Sequence, residues 1–307
     1  MAMLATGLVL CTQARAQTVP DPAAEAQPGR PLAAVNGTTL RCPPPPVQSA
    51  EQRAAQFETR PRDLDEMSKM AKAFMDPTNP AGAPFRKRQE EQRATDWPFL
   101  CRYREANAAL KESGKPVSVV FMGDSITEGW IGAHPDFFAR HGYVDRGISG
   151  QSSSQMVARF QADVIALRPR VVHIMTGTND IGGATGPITE DEFVGNVSAM
   201  IDLAKANGIE VVLASIPPMS RLLPRPEFDV RPVVVQLNRR LRALAAARGV
   251  TYVDYYTPLV DASGAFDPHF ANDGVHPTRA GYSVMEPLAE KALERAVGEW
   301  RPRRRLR

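Results

Sequence analysis

The chain has 307 residues, too long for one average domain and short for two full ones, and 43% of them are hydrophobic. That length buries a proper core, since a domain of about 200 residues already hides roughly 70% of its unfolded surface. A net charge of +3 is too small to imply a nucleic-acid partner.

Met3 to Cys11 is a short, largely apolar run, and Ala14-Arg15-Ala16 before Gln17 matches the A-x-A cleavage pattern of a secretory signal. Residues 1–16 are therefore expected to be a signal peptide and the mature chain periplasmic or secreted, although no basic residue precedes the run. The run is far short of the ~20 residues a spanning helix needs, and no other segment reads as a transmembrane span. Residues 17–47 are rich in Pro, Ala and Gly, which predicts a disordered or polyproline-II leader. Cys42 and Cys101 then remain, and two cysteines in an exported chain read either as a disulfide or as two separate buried thiols.

Residues 48–113 read as a helical extension. Met67, Met70, Ala71 and Phe74 fall on one helical face; Asp76-Pro77-Thr78-Asn79-Pro80 is a turn; a second helix is predicted from Phe85 to Leu110. From residue 114 to 298 the pattern changes. Short apolar runs predict buried strands at Val117–Met122, Tyr143–Ile148, Arg170–Met175, Ile209–Ser215 and Val250–Tyr255. Helix-period stretches alternate with them at Ser153–Leu167, Glu190–Ala206, Val233–Ala247 and Arg279–Val297. Alternation of this kind predicts an α/β fold, a three-layer α/β/α sandwich around a central, mostly parallel five-stranded sheet. Residues 299–307 form a basic tail with five arginines, read as a solvated end or as a weak contact for an anionic surface.

In a parallel sheet, ligands gather beyond the carboxyl ends of the strands. Polar, glycine-bearing clusters stand at those places: Gly123-Asp124-Ser125-Ile126-Thr127, Gly147-Ile148-Ser149-Gly150, Gly177-Thr178-Asn179-Asp180, and Asp273-Gly274-Val275-His276-Pro277 before the last helix. On these residues the chain resembles the SGNH hydrolases, also called GDSL esterases, which are named for Ser, Gly, Asn and His in four successive blocks. Ser125, Gly150, Asn179 and His276 occur in that order, and Asp273 completes the Asp-x-x-His arrangement. The resemblance covers about 180 residues, a usual single-domain size. The run Gly123 to Gly129 followed by Trp130 is most similar to the branch of lysophospholipase-like and platelet-activating-factor-acetylhydrolase-like esterases. Ile126 stands for the Leu of the GDSL name, and Asp145 where many members carry Asn.

The residues carry the same chemistry without the name. A serine hydroxyl attacks well only when a base takes its proton. His276 is the candidate base, and Asp273, three residues earlier, can hold its other ring nitrogen. The backbone N–H groups of Ser125 and Gly150 and the Asn179 side-chain amide are the candidate oxyanion donors. Each position also has a plain reading: Asp124 as a helix cap, Asn179 and Asp180 as caps of the following helix, Gly147 and Gly150 as turn glycines.

Five histidines narrow the choice of base. His173 lies mid-strand and reads as core; His134 and His141 lack a carboxylate at a useful spacing; His269, two residues after Asp267, is the competitor, but Asp267-Pro268 reads as a turn. No metal or cofactor is expected, since no Cys/His cluster, dinucleotide fingerprint or phosphate loop occurs. Trp130, Phe137 and Phe138, with Met219, Leu222, Leu223 and Phe228 in the 217–232 loop, are either substrate-pocket lining or ordinary anchors.

The expected function is a serine esterase that hydrolyses a small or medium acyl ester, on an acetylated carbohydrate or a lysophospholipid-like lipid, through an acyl-serine intermediate. The alternatives are an O-acyltransferase on the same site and a non-catalytic carbohydrate- or envelope-binding module. An α/β-hydrolase nucleophile would sit in G-x-S-x-G, whereas residue 127 is Thr.

Overall fold

The computed structural model describes residues 32–33, 39–40, 42, 57 and 63–300. The expected signal peptide, most of the Pro-rich leader, the start of the helical extension and all but the first two residues of the basic tail lie outside the described residues. Within the leader, β1 (Leu32–Ala33) pairs antiparallel with β2 (Thr39–Leu40). A short pairing was not expected there.

The helical extension differs from its prediction in two ways. Helix α1 (Leu64–Met75) starts at Asp63, whose carboxylate caps the N–H groups of Asp65 and Glu66. Its expected apolar face is poorly covered: Met70 is 66% exposed and Phe74 39%. Phe74 instead meets Phe85 of the next helix, ring to ring at 5.4 Å. The single helix predicted from Phe85 to Leu110 is two, α2 (Ala83–Thr95) and α3 (Arg104–Glu112). Asp96 breaks it. Its buried carboxylate accepts the N–H groups of Leu100 and Cys101, both at 2.8 Å, and so turns the chain. Pro98 cannot donate to a continuing helix.

The main sheet holds β3 (Val119–Gly123), β4 (Val144–Gly147), β5 (Val171–Ile174), β6 (Glu210–Ala214) and β7 (Thr251–Val253). All pairings are parallel, in the order β4-β3-β5-β6-β7. The apolar runs arise because both faces are covered. Val120 and Met122 join Val172, Ile174 and Leu213 in one core cluster; Val119 and Phe121 join Val171, Val212 and Ala214 in the other.

Helices complete the layers. On the first face lie α6 (Ser153–Asp163), α8 (Glu190–Ala206) and α9 (Arg231–Arg248), through Met156, Phe160, Met200 and Leu241. On the second lie α4 (Ser125–Ala133), α5 (Pro135–His141) and α10 (Arg279–Glu299), through Trp130, Phe137, Tyr282 and Met285. A short α7 (Thr178–Gly182) follows β5. The predicted helix Ser153–Leu167 ends early: after Val164 the chain tightens into a 3₁₀ turn, Ile165–Leu167.

The strand order decides where the site lies. β3 and β5 are neighbours, yet the chain leaves β3 toward β4 on one side and returns to β5 on the other. Such a reversal opens a crevice above the carboxyl ends of the two strands.

Candidate active site

Gly123 ends β3, and Asp124 turns the chain into α4. The Asp124 Oδ1 accepts the Ile126 N–H at 3.0 Å, capping the helix as the sequence reading anticipated. Ser125 is therefore the first helical residue, and its backbone N–H stands at the positive end of a helix. The His276 Nε2 lies 2.8 Å from the Ser125 Oγ. On the ring's other side, Nδ1 lies 2.8 Å from Asp273 Oδ2. The second oxygen of Asp273 accepts the backbone N–H groups of His276, at 2.8 Å, and Val275, at 2.9 Å. The carboxylate thus shapes the turn and orients the imidazole together.

The electrostatics follow from this contact. Burial works to raise the Asp273 carboxyl, but the hydrogen bond and charge of His276 and the two backbone N–H groups outweigh it and hold the acid down to about 2. Burial likewise opposes charging of His276; the bond to Asp273, the charge of Asp273 and that of Asp124 prevail, and its proton affinity rises. Asp124 is pushed up to about 6 by burial, partly offset by its N-cap bond and by His276.

Gly150 has φ +80°, a conformation that favours glycine. Its loop is drawn to the end of β3, since the Ile148 N–H donates to Gly123 O at 3.1 Å. A Cβ on Gly147 would stand 2.1 Å from the Glu128 backbone nitrogen, so β4 and α4 approach this closely only with glycine there. Asn179 arrives from the next strand. Its Nδ2 donates to Gln151 O at 3.1 Å and to Asp124 Oδ2 at 3.3 Å, binding the three loops into one rim. Asn179 does not cap its own helix. Asp180 caps another: its carboxylate accepts the Ser153 N–H and the Ser153 hydroxyl, the latter at 2.6 Å, at the start of α6.

The remaining histidines separate by geometry. His173 is fully buried, stacked on Phe121 at 4.7 Å, and its Nε2 lies 2.9 Å from the Tyr255 hydroxyl. Burial takes it down to about 3, so it stays neutral. His269 does pair with Asp267, at 2.8 Å, but its side chain is 86% exposed. His134 and His141, which have no carboxylate at a useful spacing in sequence, find one in the fold: Glu286 stands 2.6 Å from the first and Glu290 3.1 Å from the second. Those partners are about 150 positions away on α10, beyond any local spacing argument.

Several residues that organise the site escaped the sequence reading. Arg159 is fully buried on α6 and donates to Gln151 Oε1 at 2.5 Å, Asp163 Oδ2 at 3.0 Å and Gly123 O at 3.0 Å. A buried charge needs this many partners to be tolerated. Its signal was an Arg and an Asp four apart on the apolar face of a helix. Asp145, which stands where many family members carry Asn, is buried, accepts the Gly147 N–H at 2.6 Å, and is pushed up to about 7 by burial, a role the sequence left open. Of the residues read as pocket lining or anchors, Trp130, Phe137 and Phe138 belong to the core, at most 2% exposed, as does Met219, whereas Phe228 is 41% exposed at the edge of a recess. Cys42 and Cys101 form a disulfide, with Cα atoms 5.3 Å apart.

The fold agrees with that of known proteins the chain resembles. A model of the GDSL-like Lipase/Acylhydrolase family matches residues 121–284, which run from within β3 into α10 and include Ser125, Asp273 and His276. An acetylxylan esterase of Geobacillus stearothermophilus is 26% identical over 223 residues, covering 61% of this chain and 97% of that protein. Esterase TesA of Pseudomonas aeruginosa is 27% identical over 183 residues, covering 56% and 85%. The solved structure of a GDSL-like lipase from Bacteroides thetaiotaomicron shares 44% identity and superposes with a TM-score of 0.62, over 66% of this chain and all of that one. With most of the chain's sandwich matched by one family, the chain belongs to the GDSL-like lipase/acylhydrolases, and its reaction class is the hydrolysis of carboxylic esters.

Proposed function

We propose that the chain is a serine esterase removing small acyl groups from hydroxyl-rich alcohols, an acetylated carbohydrate being the favoured class, through an acyl-serine intermediate. The carrying observation is the unbroken line Ser125 Oγ–His276–Asp273, with both contacts at 2.8 Å. As Ser125 attacks the ester carbonyl, its proton passes to His276 Nε2, and Asp273 stays ionised to hold Nδ1–H. The oxyanion is received by the N–H groups of Ser125 and Gly150 and by Asn179, whose longer bond, to Asp124, is the one it gives up. His276 then protonates the leaving alcohol, and a water repeats the sequence on the acyl-serine.

The small acyl group is favoured by what the apolar residues do. Trp130, Phe137, Phe138 and Met219 pack inside, so none of them can line an acyl channel. The 217–232 loop presents Arg221, Glu227 and Asp229 together with Phe228 around a recess of about 450 Å³ that Leu64 and Phe266 also line, beside Asn272 and Gly274. Such a rim, charged and apolar together, offers partners for both the hydroxyls and the carbon faces of a sugar ring. The acetylxylan esterase relative points the same way, and it favours this reading over the lysophospholipase-like branch to which the Gly123–Trp130 run is similar. The disulfide further supports work in an oxidising compartment, as the expected signal peptide implies.

Kinetics on acetylated xylooligosaccharides, 4-nitrophenyl acetate, 4-nitrophenyl octanoate and a lysophosphatidylcholine test the reading. The acetyl esters should lead in kcat/KM, and Ser125→Ala should abolish turnover with the fold intact. Retained turnover in that variant removes the mechanism; preference for the octanoate or the lysolipid removes the substrate class.

A further inference from the structure

Glycine surrenders more conformational freedom on folding than any other residue, so the direction of the Gly150 N–H must be imposed by its neighbours. On the far side, Gln151 is held three times: its Nε2 donates to Pro98 O at 3.0 Å, its Oε1 accepts from Arg159, and its carbonyl accepts from Asn179. On the near side, the side-chain anchor is Glu128. Its Oε2 accepts the Ser149 N–H at 2.8 Å and also the Ser149 hydroxyl. Its Oε1 accepts Arg102 Nη2 at 2.9 Å, and the pair is largely shielded, with 16% of the Arg102 and 28% of the Glu128 side chain exposed.

Arg102 belongs to the segment between α2 and α3, and that segment is fastened to the same loop and to the first turn of α6. Trp97 O accepts Gln155 Nε2 at 2.8 Å, Pro98 O accepts Gln151, and the Tyr103 hydroxyl donates to Gly147 O. Asp96 ties the segment's own backbone, and Cys101, beside Arg102, is bonded to Cys42.

We propose that Glu128, clamped by Arg102, is a positioning residue that aims the Gly150 N–H at the oxyanion, and that the 96–103 segment of the helical extension is thereby part of the catalytic apparatus. This rests on Gly150 being an oxyanion donor. The two arms of Glu128 act in series: Arg102 fixes the carboxylate, and the carboxylate fixes Ser149. Loss of the clamp weakens stabilisation of the transition state and leaves ground-state binding of the ester alone.

The test uses the full, disulfide-bonded protein with 4-nitrophenyl acetate, and the rate of inactivation by diethyl 4-nitrophenyl phosphate, whose attack by serine also places charge on an oxygen in the oxyanion site. Removing one oxyanion donor costs about 100- to 1,000-fold, so misdirecting one in Glu128→Ala should lower kcat about 10- to 100-fold with KM within about twofold. Inactivation should slow in parallel. Glu128→Gln, which keeps one acceptor for Ser149, should recover part of the rate; Arg102→Ala should show a smaller loss of the same kind, and Arg102→Lys should restore most of it. Arg248→Ala, which breaks a surface ion pair with Asp202, is the control for general loosening and should keep kcat. If Glu128→Ala fails to fold, the Arg102 pair decides by the same split. Losses confined to KM, or kcat of Glu128→Ala within about threefold of the parent while Ser125→Ala is dead, overturn the positioning role. Turnover surviving in Ser125→Ala instead sinks the serine mechanism on which this inference stands.

Discussion

Replacing Asp273 by Asn separates what its charge does from what its shape does. The Asn oxygen can still accept the N–H groups of Val275 and His276, now at 2.9 and 2.8 Å, so the turn is kept. The other position changes from an acceptor to an NH₂ facing His276 Nδ1, at 2.8 Å in the parent. The ring must then present a lone pair at Nδ1 and a proton at Nε2. That is the tautomer unable to take the Ser125 proton. A tautomer error of this kind lowers kcat about 10⁴-fold, which is roughly 5 kcal/mol of transition-state stabilisation at 1.36 kcal/mol per decade. The same substitution has a stability signature. The Asp273 acid is held at about 2 against an ordinary 3.8, which at 1.36 kcal/mol per pH unit is worth about 2 kcal/mol. Its folded-state value is depressed, so this stability is present above pH 4 and lost as pH falls toward 2. The raised proton affinity of His276 is the same ion pair seen from the other side and is not added. Steady-state hydrolysis of 4-nitrophenyl acetate at pH 8, with urea unfolding at pH 5, 4 and 3, measures both. Asp273→Asn should be nearly inactive at pH 8, and its stability should fall less steeply with acid than the parent's. A variant retaining more than about a tenth of the parent kcat would refute the orienting role of the carboxylate.

Two further outcomes are expected. Asp124→Asn keeps the helix cap but removes a negative charge that helps His276 hold its proton. Since the proposed base works as the neutral imidazole, the acid limb of the kcat/KM profile should move to lower pH; a limb that stays in place or moves upward contradicts the assigned coupling. Reducing the Cys42–Cys101 disulfide, or replacing both cysteines with Ser, reopens a loop of 59 residues. The chain-entropy model puts the loss at about 4 kcal/mol, read as a lower unfolding midpoint in urea, and an unchanged midpoint would count against it.

The polar clusters were legible before any fold was known because a parallel sheet buries both faces of its strands. Runs such as Val119–Met122 must then be apolar, and the first residues free to be polar come at the strand ends. Ser125, Asn179 and the Asp273–His276 turn stand out for that reason. The extension was read less well, because its helices are short and polar and take their bounds from single side chains such as Asp96, which periodicity does not register.

Local sequence was therefore sufficient for the strands, most of the helices, and the choice of Ser125 and His276 as candidate nucleophile and base, since each depends on patterns within a few residues. Tertiary structure alone chose between open alternatives: Trp130 as core and not pocket, Cys42 bonded to Cys101, Glu286 beside His134. It also joined Arg102, Glu128 and Ser149 into one device. Those contacts join residues 20 or more positions apart. Which distant pairs meet is set by the β4-β3-β5-β6-β7 order and by the packing of the extension against it, and neither leaves a periodic trace along the chain.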